Sequence, residues 1–207
     1  MKINSNTKII GSKVVLVPYR VHHVSKYHEW MKSEELQQLT ASQPLTLVEE
    51  LEMQKSWRED EDKCTFIILN KCVYDDHSNE IDSMIGDTNI FITNQENATG
   101  EIEIMIAEES ARGKKMGWEA VILMLLYGIQ HVNLKLFEAK ISLSNEISIN
   151  MFKKLGFQEK SRSEVFQEVT LEKQVCDQWM KQLCKELYIP LPQHSSRLFD
   201  KILITVF

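Results

Sequence analysis

The chain has 207 residues, 43% of them hydrophobic and 26% charged, which is ordinary globular composition at a length that suits one domain with a short appendage. A net charge of −6 argues against a general nucleic-acid binder, which needs a basic face; only Arg112, Lys114 and Lys115 cluster. Four cysteines without a CxxC pair or a His grouping exclude a disulfide scaffold and a metal centre, and point to reduced thiols in a cytoplasmic protein.

The start, MKINSNTKII, lacks the apolar core of a secretory signal. Lys13 to Tyr19, KVVLVPY, is β-branched and reads as the first strand. HHVSKYHEWMKSEELQQL then sets Val24, Tyr27, Trp30 and Met31 at helical spacing. The three histidines beside it, His22, His23 and His28, read as surface or packing residues. In TLVEELEMQKSW, Thr46 with Glu49 three residues later is a capping box that opens a second helix.

KCTFIILN is a buried strand, NKCVYDDHSNEIDS a turn-rich hairpin connection, and MIGDTNIFIT the returning strand. TGEIEIMIAE alternates strictly, with Ile102, Ile104 and Ile106 on one face and Glu101, Glu103 and Met105 on the other. A helix from about Gly117 to His131 follows; its run AVILMLLYGI is too short to span a bilayer and reads as buried, so no membrane partner is expected. KLFEAKIS is a further strand, and SNEISINMFKKLG an amphipathic helix capped by Ser144 or Asn145 and closed by Gly156. FQEKSR and EVFQEVTLE read as two final strands. The order predicts a mixed α/β fold with one central sheet. The tail offers one more helix in KQVCDQWMKQLCKELY, then a Pro-containing apolar end that docks on the sheet or meets a partner.

The segment ARGKKMG carries the chemistry. A strand, a short Gly-bearing loop and a helix start form an anion site, because the first amides of a helix lack partners and its dipole adds about half a positive charge. Gly113 and Gly117 permit close backbone approach, and Arg112 and Lys114 add charge. The plain alternative is a basic turn before a core helix. A nucleotide-binding module is disfavoured, since neither GxxxxGK[ST] nor GxGxxG is present.

RGKKMG resembles the Q/R-x-x-G-x-G/A segment of the GNAT superfamily of acetyl-CoA-dependent N-acetyltransferases, and NEISINMFKKLGF resembles that family's N-x-x-S/A…K-x-G-F segment. VVLVPYRVHHVSKYHEWM looks like the branch containing the ribosomal-protein N-terminal acetyltransferases. HEWMKSEELQQLTASQPLTL, DKCTFI, GEIEIMIAE and FQEVTL look like the N-acetyltransferase 9-like group. The resemblance covers about residues 1–171, expected to form one GNAT domain with helices on both sheet faces, and leaves 172–207 as a tail without an assigned role.

The resemblance implies acetyl-CoA as co-substrate, no metal, and tubulin as a family-level partner. It assigns cofactor contacts to the backbone of Met105, Ile106 and Ala107, to Arg112, Gly113, Lys114, Lys115, Met116 and Gly117, and to Asn145, Ser148 and Phe152. Asn145 has the alternative of serving only as a helix cap. Two positions depart from the family. Lys115 replaces a glycine, costing about 1–2 kcal/mol if that residue is left-handed. Phe152 stands where many relatives carry a tyrosine that protonates the leaving thiolate. For the base, Glu103 ranks first because it shares a face with Met105, followed by Glu138 and Glu101; each has the alternative of being a solvated strand glutamate. An α-amine, with reference pKa near 7.7–8.0 against about 10.4 for lysine, is neutral roughly a hundredfold more often at neutral pH, which favours a protein or peptide N-terminus as acceptor. The competing reading is a GNAT-fold binding protein with little turnover, kept open by Lys115 and Phe152.

Overall fold

A computed structural model describes residues 1–187 and 203–206. The first strand of the sequence reading has a partner before it: β1 (Thr7–Ile10) and β2 (Val14–Pro18) form a hairpin. The long first helix divides into α1 (Val24–Trp30) and α2 (Glu34–Leu39), because the Ser33 hydroxyl accepts the Leu36 N–H and restarts the helix. α3 (Leu47–Glu59) opens on the Thr46–Glu49 capping box.

β3 (Lys63–Asn70) is followed by two short helices where a turn-rich connection was expected, α4 (Lys71–His77) and α5 (Glu80–Ser83). The reason is local: Asn70 and Asn79, read as turn residues, each accept the amides of a first helical turn. Then come β4 (Met84–Asn94), β5 (Thr99–Ile106), α6 (Met116–Gln130), β6 (Leu136–Ser142), α7 (Glu146–Lys154), β7 (Gln158–Ser163), β8 (Glu168–Gln174), α8 (Asp177–Glu186) and β9 (Leu203–Val206). The last hairpin strand begins at Glu168 rather than Glu164, since residues 164–167 form its turn.

The nine strands make one sheet in the order β7-β8-β6-β5-β4-β3-β2-β1-β9. All pairings are antiparallel except β5 with β6. One face buries Ile9, Leu16, Phe66, Ile90 and Ile102 against α6, whose residues from Glu119 to Gly128 are all buried. The other face buries Val15, Val17, Ile67, Leu69 and Met105 against Val24, Tyr27 and Trp30 of α1. Helices therefore cover both faces of a mixed sheet.

The tail's helix joins the first core. In α8, Trp179 stacks edge-on to Phe137 and Phe157, and its Nε1 donates to Leu155 O at 2.7 Å. β9 extends the sheet beyond β1; the remainder of the Pro-containing stretch lies outside the described residues. No helix among the described residues is long and apolar enough to cross a membrane.

Candidate active site

β5 and β6 start together and then part. Their parallel pairing runs only over Thr99–Leu136, Gly100–Phe137 and Glu101–Glu138. Beyond that fork, among the described residues, β5 continues to Ile106 paired only with β4, and β6 to Ser142 paired only with β8. The result is an opening in the middle of the sheet, about 17 Å long on the β5 side at 3.3–3.4 Å per residue.

Which amides face it follows from strand alternation. Ala107 donates to Ile85 O at 2.9 Å, toward β4. The N–H groups of Ile106 and Ile104 are therefore turned the other way, into the opening. The Ile106 carbonyl agrees, since it accepts Arg112 Nε at 3.0 Å rather than a β4 amide. Of the expected trio Met105, Ile106 and Ala107, only Ile106 directs its amide at the opening, and Ile104 joins it.

The loop at the wide end is shaped for an anion. Gly113 has φ +73°, and Lys115 is left-handed at φ 62°, ψ 17° as the N-cap of α6. A lysine side chain cannot cap a helix, so the first amides of α6, Met116, Gly117 and Trp118, have no side-chain partner among the described residues. Left-handed residues alternating with right-handed ones turn successive amides to one side, an anion-binding concavity. Gly117 lies so close to β5 that a Cβ would stand 3.1 Å from Ile106 Cγ1. Arg112 is otherwise engaged: its guanidinium bridges Ile106 O and Glu35, which leaves the exposed Lys114 and Lys115 as cations without a carboxylate partner among the described residues.

Glu119, unnoticed in the sequence, anchors this loop. Its buried carboxylate accepts Ser12 N, Ser12 Oγ and Lys13 N at 2.7 Å each, and Val14 N at 3.1 Å. Lys13 Nζ in turn donates to Lys114 O at 3.1 Å. An acid in the first turn of a helix was the available signal.

Glu101, Glu103, Met105, Asp87 and Asn89 occupy the sheet face opposite α6, for Asp87 pairs with Met105 and Asn89 with Glu103. The three candidate bases differ. Glu101 is held by Lys140 at 2.7 Å and Glu138 by Lys160 at 2.5 Å. Glu103 is exposed, accepts Asn89 Nδ2 at 2.8 Å and has no cation partner among the described residues. A polar cleft of about 640 Å³ opens beside the fork, lined by Thr99, Leu136, Glu138, Lys160 and Glu172 among others.

Asp87 was also missed. Burial, reinforced by the charge of Glu103 and opposed by Lys63, pushes its carboxyl up to about 7. An aspartate inside the apolar run MIGDTNIFIT was the sign that could have found it.

In α7, Asn145 caps the helix, its Oδ1 accepting the half-buried Ser148 N–H at 3.1 Å. Phe152, expected among the cofactor contacts, is instead core: it is 2% exposed and packs edge-on against Phe157. On an amphipathic helix its position faces inward.

The histidines do meet a carboxylate, contrary to their sequence spacing. His22 Nε2 and His23 Nε2 lie 2.8 and 2.9 Å from Glu80 Oε2, brought from 58 and 57 residues away in the chain. The Arg20 N–H donates to His23 Nδ1, so Nε2 carries the ring proton and donates to Glu80. A ring bonded in this way has no lone pair for a metal. These bonds draw the Glu80 carboxyl down to about 2, while burial lowers His23.

The family profile described as an acetyltransferase (GNAT) domain matches residues 13–158. An alpha/beta-tubulin-N-acetyltransferase 9 from Homo sapiens is 56% identical over 187 residues, covering 87% of this chain and 90% of that protein. Its namesake from Drosophila melanogaster is 50% identical over 192 residues, covering 90% and 96%. Among solved structures, spermidine N-acetyltransferase from Vibrio cholerae in complex with CoA and spermine superposes with a TM-score of 0.68 at 14% identity, over 79% of this chain and 96% of that one. The chain belongs to the GNAT acetyltransferase family, and its reaction is the transfer of an acetyl group from acetyl-CoA to an amine.

Proposed function

We propose that this acetyltransferase acts on the α-amine of a protein or peptide, and that tubulin, for which its relatives in human and fly are named, is the acceptor to test first. The observation that carries the reading is the one-sided opening between β5 and β6, with an uncapped helix start at its wide end and a free carboxylate near its fork. Amides of Lys115, Met116 and Gly117 would hold the diphosphate of acetyl-CoA, with Lys114 and Lys115 adding charge. The Ile104 or Ile106 N–H would donate a hydrogen bond to the thioester oxygen as charge develops there.

Glu103 is the base in this reading, because Glu101 and Glu138 are already paired with lysines. It takes a proton from the acceptor ammonium, directly or through one water, and frees the lone pair that attacks the carbonyl carbon. With Phe152 in place of a tyrosine, the departing sulfur takes its proton from the acceptor nitrogen or from water. Lys115 already adopts the left-handed geometry its position needs, so it preserves the loop at a cost of about 1 kcal/mol. A cytoplasmic location accords with free thiols at Cys64, Cys72, Cys176 and Cys184.

Mass spectrometry of peptides incubated with enzyme and acetyl-CoA tests the acceptor. Acetylation of a free N-terminus, with none on a peptide offering only lysine amines, is the expected result. Modification of lysine alone would refute it.

A further inference from the structure

Three polar side chains stand in one row across three strands, and only the last of them is exposed. Register puts Thr65 of β3 directly opposite Asn89 of β4, and Asn89 directly opposite Glu103 of β5. Thr65 is fully buried and Asn89 is 2% exposed, while Glu103 is open to solvent. The Thr65 hydroxyl donates to Asn89 Oδ1 at 2.9 Å, and Asn89 Nδ2 donates to Glu103 Oε2 at 2.8 Å.

The direction of these bonds is set from the exposed end. An ionised carboxylate only accepts, so the Asn89 amide turns its NH2 group to Glu103 and its oxygen inward. The hydroxyl of Thr65 meets that oxygen as a donor; a valine of the same shape would leave it unpaired. The next residues of β3 on this face, Ile67 and Leu69, are apolar core. An apolar pair would serve the sheet here too, because replacing both partners of a buried hydrogen bond by groups of the same shape is nearly neutral for stability. What the polar pair adds is one N–H aimed at a carboxylate near the fork.

We propose that Thr65 and Asn89 are positioning residues that hold the carboxylate of Glu103 in place for the acceptor amine. The inference rests on the reading of Glu103 as the base. A glutamate side chain is long and rotatable, and a bond to one oxygen limits where the other can point. Asn89 holds Oε2, and Oε1, without a partner among the described residues, is left to receive the proton of the ammonium. The donor is neutral, which sets Glu103 apart from Glu101 and Glu138. At those two carboxylates a lysine ammonium competes with the acceptor for the same lone pairs. Thr65 is itself braced from behind, since the buried Asn4 donates from Nδ2 to Thr65 O at 2.8 Å. A reacting group supported by side chains locked in this way keeps a productive geometry that a free side chain samples only part of the time.

The test compares full-length wild type, Thr65→Val, Thr65→Ser, the double variant Thr65→Val/Asn89→Leu, and Glu103→Gln with and without that double change. Each is assayed on the peptide that wild type acetylates fastest, and each is melted to establish that it is folded. The double variant is expected to melt near wild type and to keep its KM for acetyl-CoA, yet to lose between about tenfold and a hundredfold in kcat. Thr65→Val should lose severalfold and Thr65→Ser should restore most of that loss. Added to Glu103→Gln, the double change should lower kcat no further, because the group it positions is gone. A wild-type kcat in the double variant, or a full further loss on top of Glu103→Gln, would overturn the positioning role alone. Should the double variant fail to fold, equal kcat in Thr65→Val and Thr65→Ser would overturn it. A wild-type kcat in Glu103→Gln would overturn the base and the positioning role with it.

Discussion

The buried carboxylate of Glu119, in the first turn of α6, closes on the Lys13 N–H at 2.7 Å and so fixes the β1–β2 hairpin to the start of that helix. With the two Ser12 contacts it ties the loop before α6 to the sheet. Glu119→Gln keeps the shape but turns an NH2 group toward backbone donors. The expected cost is about 2–4 kcal/mol in urea unfolding, because at least one buried donor loses its acceptor. Weaker binding of acetyl-CoA should accompany it. Unaltered stability would mean that the hairpin does not depend on this carboxylate.

Lys115→Gly acts in the opposite sense. The residue is left-handed, so glycine removes strain and should stabilise the protein by about 1 kcal/mol, raising Tm by roughly 2–4 °C. Thermal melting measures it, and a lower Tm in the variant would show that the lysine side chain contributes more than its backbone costs.

The candidate bases are separable by kinetics. Glu103→Gln should lower kcat about a hundredfold, the usual contribution of general base catalysis. Glu138→Gln breaks the contact with Lys160 at the fork and should cost less than about tenfold, mainly in KM. The reverse ranking would move the base to β6.

Asp87 makes stability depend on pH in a specific direction. Its carboxyl is raised from 3.8 to about 7 in the folded chain. The contribution of this group is therefore fully present below about pH 4 and is lost as pH rises through about 7, where the buried carboxyl must ionise. Asp87→Asn lacks this loss. The gain of the variant over wild type should be larger at pH 8 than at pH 4 by at most about 4 kcal/mol, on top of an offset that does not vary with pH. Urea titrations at the two pH values measure the difference, and a gain independent of pH would contradict a buried ionisation.

What could be read in the sequence was local. The Thr46–Glu49 capping box and the alternation from Gly100 to Ile106 depend on residues near one another in the chain, and both appear at the expected positions. Asn70 and Asn79 misled because the same side chain that closes a turn also opens a helix. What escaped was non-local. Glu80 reaches His22 and His23 across 58 and 57 residues, Glu119 reaches Ser12 across 107, and the lysines on Glu101 and Glu138 come from β6 and β7. The direction of the Ile104 and Ile106 amides depends on strand register with β4, which no single segment encodes.

A crystal structure with coenzyme A tests the central claim most directly. The diphosphate should lie within hydrogen-bond distance of the amides of Lys115, Met116 and Gly117, with the arm running between β5 and β6 toward Glu103. A diphosphate bound elsewhere on the protein, with that opening closed by protein side chains, would contradict it.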